Sequence, residues 1–207
     1  MSGLTLYVDT NFSSPYAMSV YVTLLEKKLD FQLKTIDLDS GEHLLPAFRD
    51  LALTGRVPAL VHGDLILNES SAIIEYLEEA WPAPQYVGVL PADGNQRARA
   101  RQVQAWLRSD LLALRAERST NVIFFEPEPT PLTQAGQGAA DRLIHIAERL
   151  IDGEHLFGQW SIADTDLALM LNRLVMNGDP VPQRLVDYAK RQWQRASVQQ
   201  WVGQPRG

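Results

Sequence analysis

Short apolar runs and helical spacing alternate along the chain up to about Trp81-Pro82, and beyond that only the helical period persists. Leu4-Thr5-Leu6-Tyr7-Val8 predicts a strand, and Pro15 to Leu29 predicts a helix opened by Ser14 with a proline at its first turn. Phe31 to Leu38 predicts a second strand, and roughly Glu42 to Leu51 a short helix. Leu60-Val61 and Leu65-Ile66-Leu67 flank His62-Gly63-Asp64, which predicts a hairpin. Ala72, Ile73, Tyr76 and Leu77 then recur at helical spacing behind Glu69 and Ser70. The prolines and glycine between Pro82 and Gly94 cannot continue that helix, and residues 83–92 are expected to link two domains. Further helices are predicted over about 95–120, 133–151, 162–174, 182–192 and 196–202, with a proline-rich loop from Pro127 to Pro131. The pattern predicts an α/β domain over residues 1–82 in the order βαβ-α-ββ-α, followed by an all-helical bundle domain over 93–207.

The densest chemistry lies at Arg56-Val57-Pro58-Ala59-Leu60 and Asn68-Glu69-Ser70-Ser71-Ala72-Ile73. The first stretch is expected to form a cis-proline turn at the mouth of a strand. Pro58 lacks an N–H, which leaves the neighbouring backbone free to pair with an extended peptide. The second stretch is a polar helix start, where backbone N–H groups and a hydroxyl can hold a carboxylate while Glu69 accepts from an ammonium. Together they match the two charged ends of an amino acid, and predict a site for a small acidic peptide.

Composition narrows the classes. A chain of 207 residues that is 45% hydrophobic can bury one large core or two small ones, and two fit the pattern better. No apolar run approaches the roughly 20 residues needed to span a bilayer. The amino-terminal residues enter a strand without a basic signal segment, so a cytoplasmic protein with no membrane partner is expected. There is no cysteine, which excludes disulfides, thiolate metal sites and a cysteine nucleophile. The net charge of −6 argues against nucleic acid as a partner. His43, His62, His145 and His155 lack paired ligand spacing, so no metal is assigned.

Val57-Pro58 followed by Glu69-Ser70-x-Ala72-Ile73 resembles the glutathione-binding motif of the glutathione S-transferase superfamily, and the resemblance extends over nearly the whole chain. Ser14-Pro15-Tyr16, after the first strand, resembles the serine-type, tau-like pattern, and the segments Ile36 to His43 and Ile162 to Met170 resemble a bacterial branch. The resemblance implies a thioredoxin-like first domain and glutathione as a substrate, with no further cofactor. In that setting Ser14 would donate a hydrogen bond to the glutathione sulfur, helped by the helix dipole. Lowering a thiol pKa by about two units corresponds to roughly 2.7 kcal/mol of thiolate stabilisation. The competing role for Ser14 is a plain N-cap, with Ser13 and Tyr7 as fallback donors. Val57 would pair its backbone with the cysteinyl part, Pro58 would set that geometry, and Glu69 and Ser70 would hold the γ-glutamyl end. His43 lies fourteen residues (57 − 43) before Val57, where tau-like relatives carry a lysine for the glycine carboxylate; Arg56 is a second candidate for that role.

In the helical half, Arg97, Arg101, Arg108 and Arg115 recur at helical steps, expected as a solvated or salt-bridged face, or else as part of a cleft or dimer interface. Ile123-Phe124-Phe125 is expected in the core, with a pocket cap as the alternative. Ser161 and Asp164 are spaced as a capping box, with Asp166 expected in the same network. The resemblance implies a homodimeric transferase acting on hydrophobic electrophiles or organic peroxides. A non-catalytic scaffold and a glutathione-dependent isomerase are the alternatives.

Overall fold

The computed structural model describes residues 3–206, which form two compact units, one of residues up to Val89 together with the segment from Gln199 onward, the other of Leu90–Val198. The division falls inside the stretch 83–92 expected to link two domains, while the C-terminal segment lies with the first unit.

In the first unit, strands β1 (Leu4–Asp9), β2 (Phe31–Ile36), β3 (Ala59–His62) and β4 (Leu65–Asn68) form one mixed sheet in the order β2-β1-β3-β4. β1 runs parallel to β2 and antiparallel to β3, with Asp9 beside Ile36 and Tyr7 beside Ala59; β3 and β4 are antiparallel, with Ala59 beside Asn68. Alternation along β1 gives the sheet its two faces: Leu4, Leu6 and Val8 are buried, and the intervening Tyr7 packs its ring on Phe48 at 5.8 Å. Helix α1 (Pro15–Glu26) connects β1 to β2 and is buried continuously from Ala17 to Leu24. Helix α3 (Ser70–Ala80) follows β4 and buries Ile73, Ile74 and Leu77, the stripe its periodicity predicts.

The helix expected over 42–51 is two pieces, a 3-10 turn over Glu42–Leu44 and α2 (Pro46–Arg49), because Pro46 has no N–H to continue a helix and instead starts one. The hairpin loop is only Gly63-Asp64, since His62 already belongs to β3; Gly63 supplies the positive φ of 60° that a two-residue connection demands.

One buried ion pair ties the first unit together. Lys27 Nζ lies 2.7 Å from Glu78 Oε1 and donates to the Val87 carbonyl at 3.0 Å, and the Val89 N–H donates to the same Glu78 oxygen at 2.9 Å. A buried charge persists only when so fully partnered.

The second unit is all helical: α4 (Gly94–Ser109), α5 (Leu112–Glu117), α6 (Asn121–Phe124), α7 (Gln134–Leu150), α8 (Ile162–Val175), α9 (Gln183–Trp193) and α10 (Ala196–Val202), the last running into the first unit. The single helix expected over 95–120 breaks at Asp110-Leu111. Leu111 takes φ 61° to bury its side chain, and Asp110 Oδ1 accepts the Leu111 N–H at 2.7 Å. Arg115 therefore sits beyond the break, so the four arginines do not line one helix face. Ile123 and Phe124 are half-buried, Phe125 is exposed, and Phe124 meets Trp193 at 6.2 Å, so this run is only in part core.

α8 is buried almost all round, and Leu167, Met170, Leu171 and Leu174 join Leu107, Leu114, Leu143 and Tyr188 in one core. Its first turn is held by Asp164, whose Oδ2 accepts the Ser161 N–H (2.9 Å) and hydroxyl (3.1 Å). Its Oδ1 accepts the Leu156 N–H and the Tyr188 hydroxyl, each at 2.8 Å. Asp166, expected in this network, points elsewhere and accepts from Gln104 Nε2 at 2.8 Å and Arg108 Nη1 at 3.1 Å, because a helix turns successive side chains to different faces.

Asp179 accepts from Arg118 Nε at 2.6 Å, Arg118 Nη2 at 2.9 Å and Asn177 Nδ2 at 2.9 Å. The Arg118 hydrogen bonds, more than any other contact, hold its carboxyl below the usual range. A carboxyl lowered on folding adds stability that is present above its unfolded pKa and lost as pH falls through the folded one. Asp179→Asn is thus expected to destabilise the protein at neutral pH, with the difference from the wild type closing below about pH 4. Urea unfolding of both proteins across that range checks it, and a gap that persists in acid contradicts it.

Candidate functional site

The strand register brings distant parts of the sequence to one end of the sheet. Asp9 ends β1 beside Ile36, the end of β2; Ala59 opens β3 beside Asn68, the end of β4. The segments that leave or enter there carry Ser13-Ser14, His43, Arg56-Val57-Pro58 and Glu69-Ser70. Residues scattered over more than fifty positions thus share one rim of the first unit.

At the start of α1, the Ser14 side chain accepts the Ala17 N–H at 3.2 Å. Ser14 is an N-cap, and among the described residues its own hydroxyl hydrogen meets no acceptor. Ser13 differs: its hydroxyl donates to Asp9 Oδ2 at 2.9 Å. Tyr7, the other fallback, has its ring against Phe48 and its face toward Lys34 Nζ at 5.5 Å. The residue at the helix terminus with a donor to spare is Ser14.

The Val57–Pro58 bond is cis. Val57 stands outside the β3 ladder, and among the described residues neither its N–H nor its carbonyl makes a backbone hydrogen bond. Asn68, to which the sequence reading gave no role, braces this turn: its Nδ2 donates to the carbonyls of Arg56 (3.2 Å) and Pro58 (3.3 Å). Removing the amide leaves two carbonyls short of a donor. Asn68→Ala is expected to cost about 1–2 kcal/mol of unfolding free energy, read by urea denaturation, and an unchanged midpoint would contradict the bracing role.

Glu69 holds φ 66°, ψ 112°, an unusual backbone for a residue with a Cβ, and makes no side-chain cap. Its exposed carboxylate accepts no hydrogen bond among the described residues, while Ser70 opens α3 as a buried residue. Acceptor oxygens from Glu69 and the first-turn N–H groups of α3 therefore lie side by side, the arrangement an ammonium and a carboxylate on one carbon require.

His43 lies in the 3-10 turn, its Nδ1 shielded from solvent and without a hydrogen-bond partner. Its carbonyl lies 3.9 Å from where a Cβ on Gly55 would stand, so it neighbours the chain leading into Arg56. Arg56 is exposed and its guanidinium has no ion-pair partner among the described residues. Asp9 and Arg206 were also missed. Asp9, 2% exposed, accepts the N–H groups of Ser13 (2.7 Å) and Ser14 (3.1 Å), and Arg206 Nη2 donates to the Phe12 carbonyl at 3.2 Å. An Asp five residues before a helix-capping serine is a legible signal; an arginine nearly two hundred residues away is not. Among the described residues no group of three or more potential acidic or histidine metal ligands occurs, and no helix is long and apolar enough to cross a membrane.

Residues 13–80 match the family model of the glutathione S-transferase N-terminal domain, and residues 93–205 that of its C-terminal domain. A solved glutathione transferase homolog from Burkholderia, with bound glutathione, is 48% identical over 97% of this chain and 96% of that one, with a TM-score of 0.79. "Glutathione S-transferase 1" from Dianthus caryophyllus is 47% identical over 85 residues, covering 41% of this chain and 37% of that protein. Maleylacetoacetate isomerase from Pseudomonas aeruginosa is 39% identical over 118 residues, covering 55% of this chain and 54% of that protein. The aligned part spans 37–44% of the length of the first curated relatives.

Proposed function

Because the chain belongs to the glutathione S-transferase family, we propose that it binds glutathione at the rim described above, stabilises the thiolate through Ser14 and transfers it to an electrophile. The observation that carries this reading is the Ser14 hydroxyl at the N-terminus of α1, whose oxygen caps the helix while its hydrogen is left to donate, where a donor and the helix dipole favour an anion.

The steps follow from the groups present. Glu69 accepts from the γ-glutamyl ammonium, and Ser70 with the first amides of α3 takes the neighbouring carboxylate. Val57 pairs its free N–H and carbonyl with the cysteinyl residue as a short added strand. His43 or Arg56 meets the glycine carboxylate. The thiol proton leaves to solvent, and the sulfur, held by the Ser14 hydroxyl, attacks the electrophilic carbon. A carbon–sulfur bond forms as the leaving group departs with its electron pair. With an organic peroxide the same thiolate attacks the terminal oxygen, the O–O bond breaks with its electron pair leaving on the alcohol, and a second glutathione displaces water from the resulting sulfenic acid to give the disulfide, so no protein cysteine is needed. The protein works in the cytoplasm as a homodimer.

Calorimetric titration with glutathione, followed by conjugation assays with an activated aryl halide and consumption assays with an organic hydroperoxide, tests this reading. Saturable binding with conjugate formation is expected. Absence of glutathione binding overturns it. The similarity to the Pseudomonas isomerase favours a second reading, isomerisation of an unsaturated diacid, which would show turnover with no net loss of glutathione.

A further inference from the structure

The loop that presents Ser14 is held from two directions by residues that the chemistry above does not use. Phe12, just before it, has φ 47°, an unfavourable backbone for a bulky residue that persists only where its surroundings enforce it. Those surroundings come from the far end of the chain. Trp201 meets the Phe12 ring edge-on at 5.3 Å and the Tyr21 ring of α1 at the same distance. Arg206 donates to the Phe12 carbonyl at 3.2 Å, and is itself fixed on the carbonyls of Trp201 (3.1 Å), Val202 (2.6 Å) and Gln204 (3.0 Å). Gln204 Nε2 donates to the Tyr21 hydroxyl at 3.2 Å, pinning the segment to α1 as well.

From the other side, Asp9 draws in the Ser13 and Ser14 amides and the Ser13 hydroxyl, so the turn into α1 is closed around one buried carboxylate. That carboxylate creates a problem. A negative charge hydrogen-bonded to the Ser14 amide opposes the formation of a second anion at the Ser14 hydroxyl. The positive group set against it is Arg206, which reaches Asp9 through one residue: Phe12 accepts from Arg206 at its carbonyl and donates its own N–H to the Asp9 carbonyl at 3.0 Å. Burial lowers the basicity of the guanidinium, and the attraction of Asp9 works in the opposite direction.

We propose that Asp9 and Arg206 are a pair of positioning residues for Ser14, Asp9 fixing the loop and Arg206 both clamping Phe12 and neutralising Asp9, so that the C-terminal segment is part of the thiolate-forming machinery. The proposal rests on the reading of Ser14 given above and extends it to residues outside the binding rim.

The test uses the full chain with glutathione and follows the pH midpoint of thiolate formation in the bound peptide by ultraviolet absorbance, alongside kcat and KM. Arg206→Met is expected to raise that midpoint and to lower kcat by up to about 100-fold, the loss that a misplacement of roughly 1 Å can produce, with a smaller change in KM for glutathione. Arg206→Lys, which keeps the charge and one donor, recovers part of both. Adding Asp9→Asn to Arg206→Met brings the midpoint back toward the wild-type value, because the uncompensated charge is gone. A purely structural role for Arg206 predicts the opposite, a double variant further impaired. Ser14→Ala, measured in parallel, separates the two levels of the account. If Ser14→Ala raises the midpoint and Arg206→Met does not, the pairing is wrong and the Ser14 reading stands. If Ser14→Ala leaves it unmoved, the Ser14 reading itself falls. Should Arg206→Met fail to fold, Arg206→Lys carries the measurement: a smaller rise supports the pair, and no rise overturns it.

Discussion

Ser14→Ala is expected to lower kcat for glutathione conjugation on the order of 100-fold, the typical loss when one donor to a developing or resident anion is removed, while leaving KM for glutathione within a few-fold. The split follows from the site. The groups expected to hold the peptide, Val57 just before β3 and Glu69 and Ser70 at the start of α3, do not depend on Ser14, which would meet only the sulfur. A second effect accompanies the first, since the same oxygen caps α1 by accepting the Ala17 N–H. Its loss costs about 1 kcal/mol of stability, too little to unfold a domain at ordinary temperature. Ser14→Thr separates the two roles: threonine caps helices and keeps a hydroxyl, so it retains most of the stability and a measurable part of the rate. Steady-state kinetics beside thermal unfolding of both variants reads the difference. Equal kcat in wild type and Ser14→Ala would reduce Ser14 to the N-cap it also is.

Asp164→Ala is expected to cost on the order of 3–5 kcal/mol of folding stability, a large share of what a domain has. Asp164 is fully buried, and its two oxygens take the Ser161 N–H and hydroxyl, the Leu156 N–H and the Tyr188 hydroxyl. Alanine strands all of these donors away from water, and each unsatisfied buried group costs about 1–3 kcal/mol. The network joins the start of α8, the chain before it and α9, so the loss spreads through the core of the second unit. Tyr188 is a dependable donor because its phenol is pushed well above its usual pKa, first by burial and then by the Asp164 charge. Tyr188→Phe removes one donor without stranding the others, and is expected to cost about 1 kcal/mol. Urea unfolding measures both; an Asp164→Ala midpoint close to that of Tyr188→Phe would contradict the network as described.

The sequence carried the fold where period and punctuation agreed. The alternation in β1, the hairpin glycine and the apolar stripe of α3 each have one reading, and the sheet and helices follow them. It misled where a local helical pattern met a tertiary demand. Leu111 is an ordinary helix residue by propensity, yet the core of the second unit takes its side chain at the cost of a left-handed backbone, which ends α4. Asp166 failed in a similar way: it shares a turn with Asp164, but the helix aims it at Gln104 and Arg108.

The candidate site was legible in its contiguous parts, the serine before a proline, the Val-Pro turn and the Glu-Ser helix start. The residues around them were not. Asn68 adjoins the motif, but its bond to two carbonyls twelve and ten residues back exists only once the hairpin closes. Arg206 meets Phe12 across 194 positions, and no local pattern announces such a contact.

The central claim is that Ser14 lowers the thiol pKa of bound glutathione. The most direct test is a titration of purified protein with glutathione near neutral pH, following ultraviolet thiolate absorbance in wild type and Ser14→Ala under equal occupancy. The account predicts a saturable thiolate signal in the wild type and its loss, with binding retained, in Ser14→Ala. An equal thiolate signal in both proteins, or glutathione bound as the thiol in both, would contradict it.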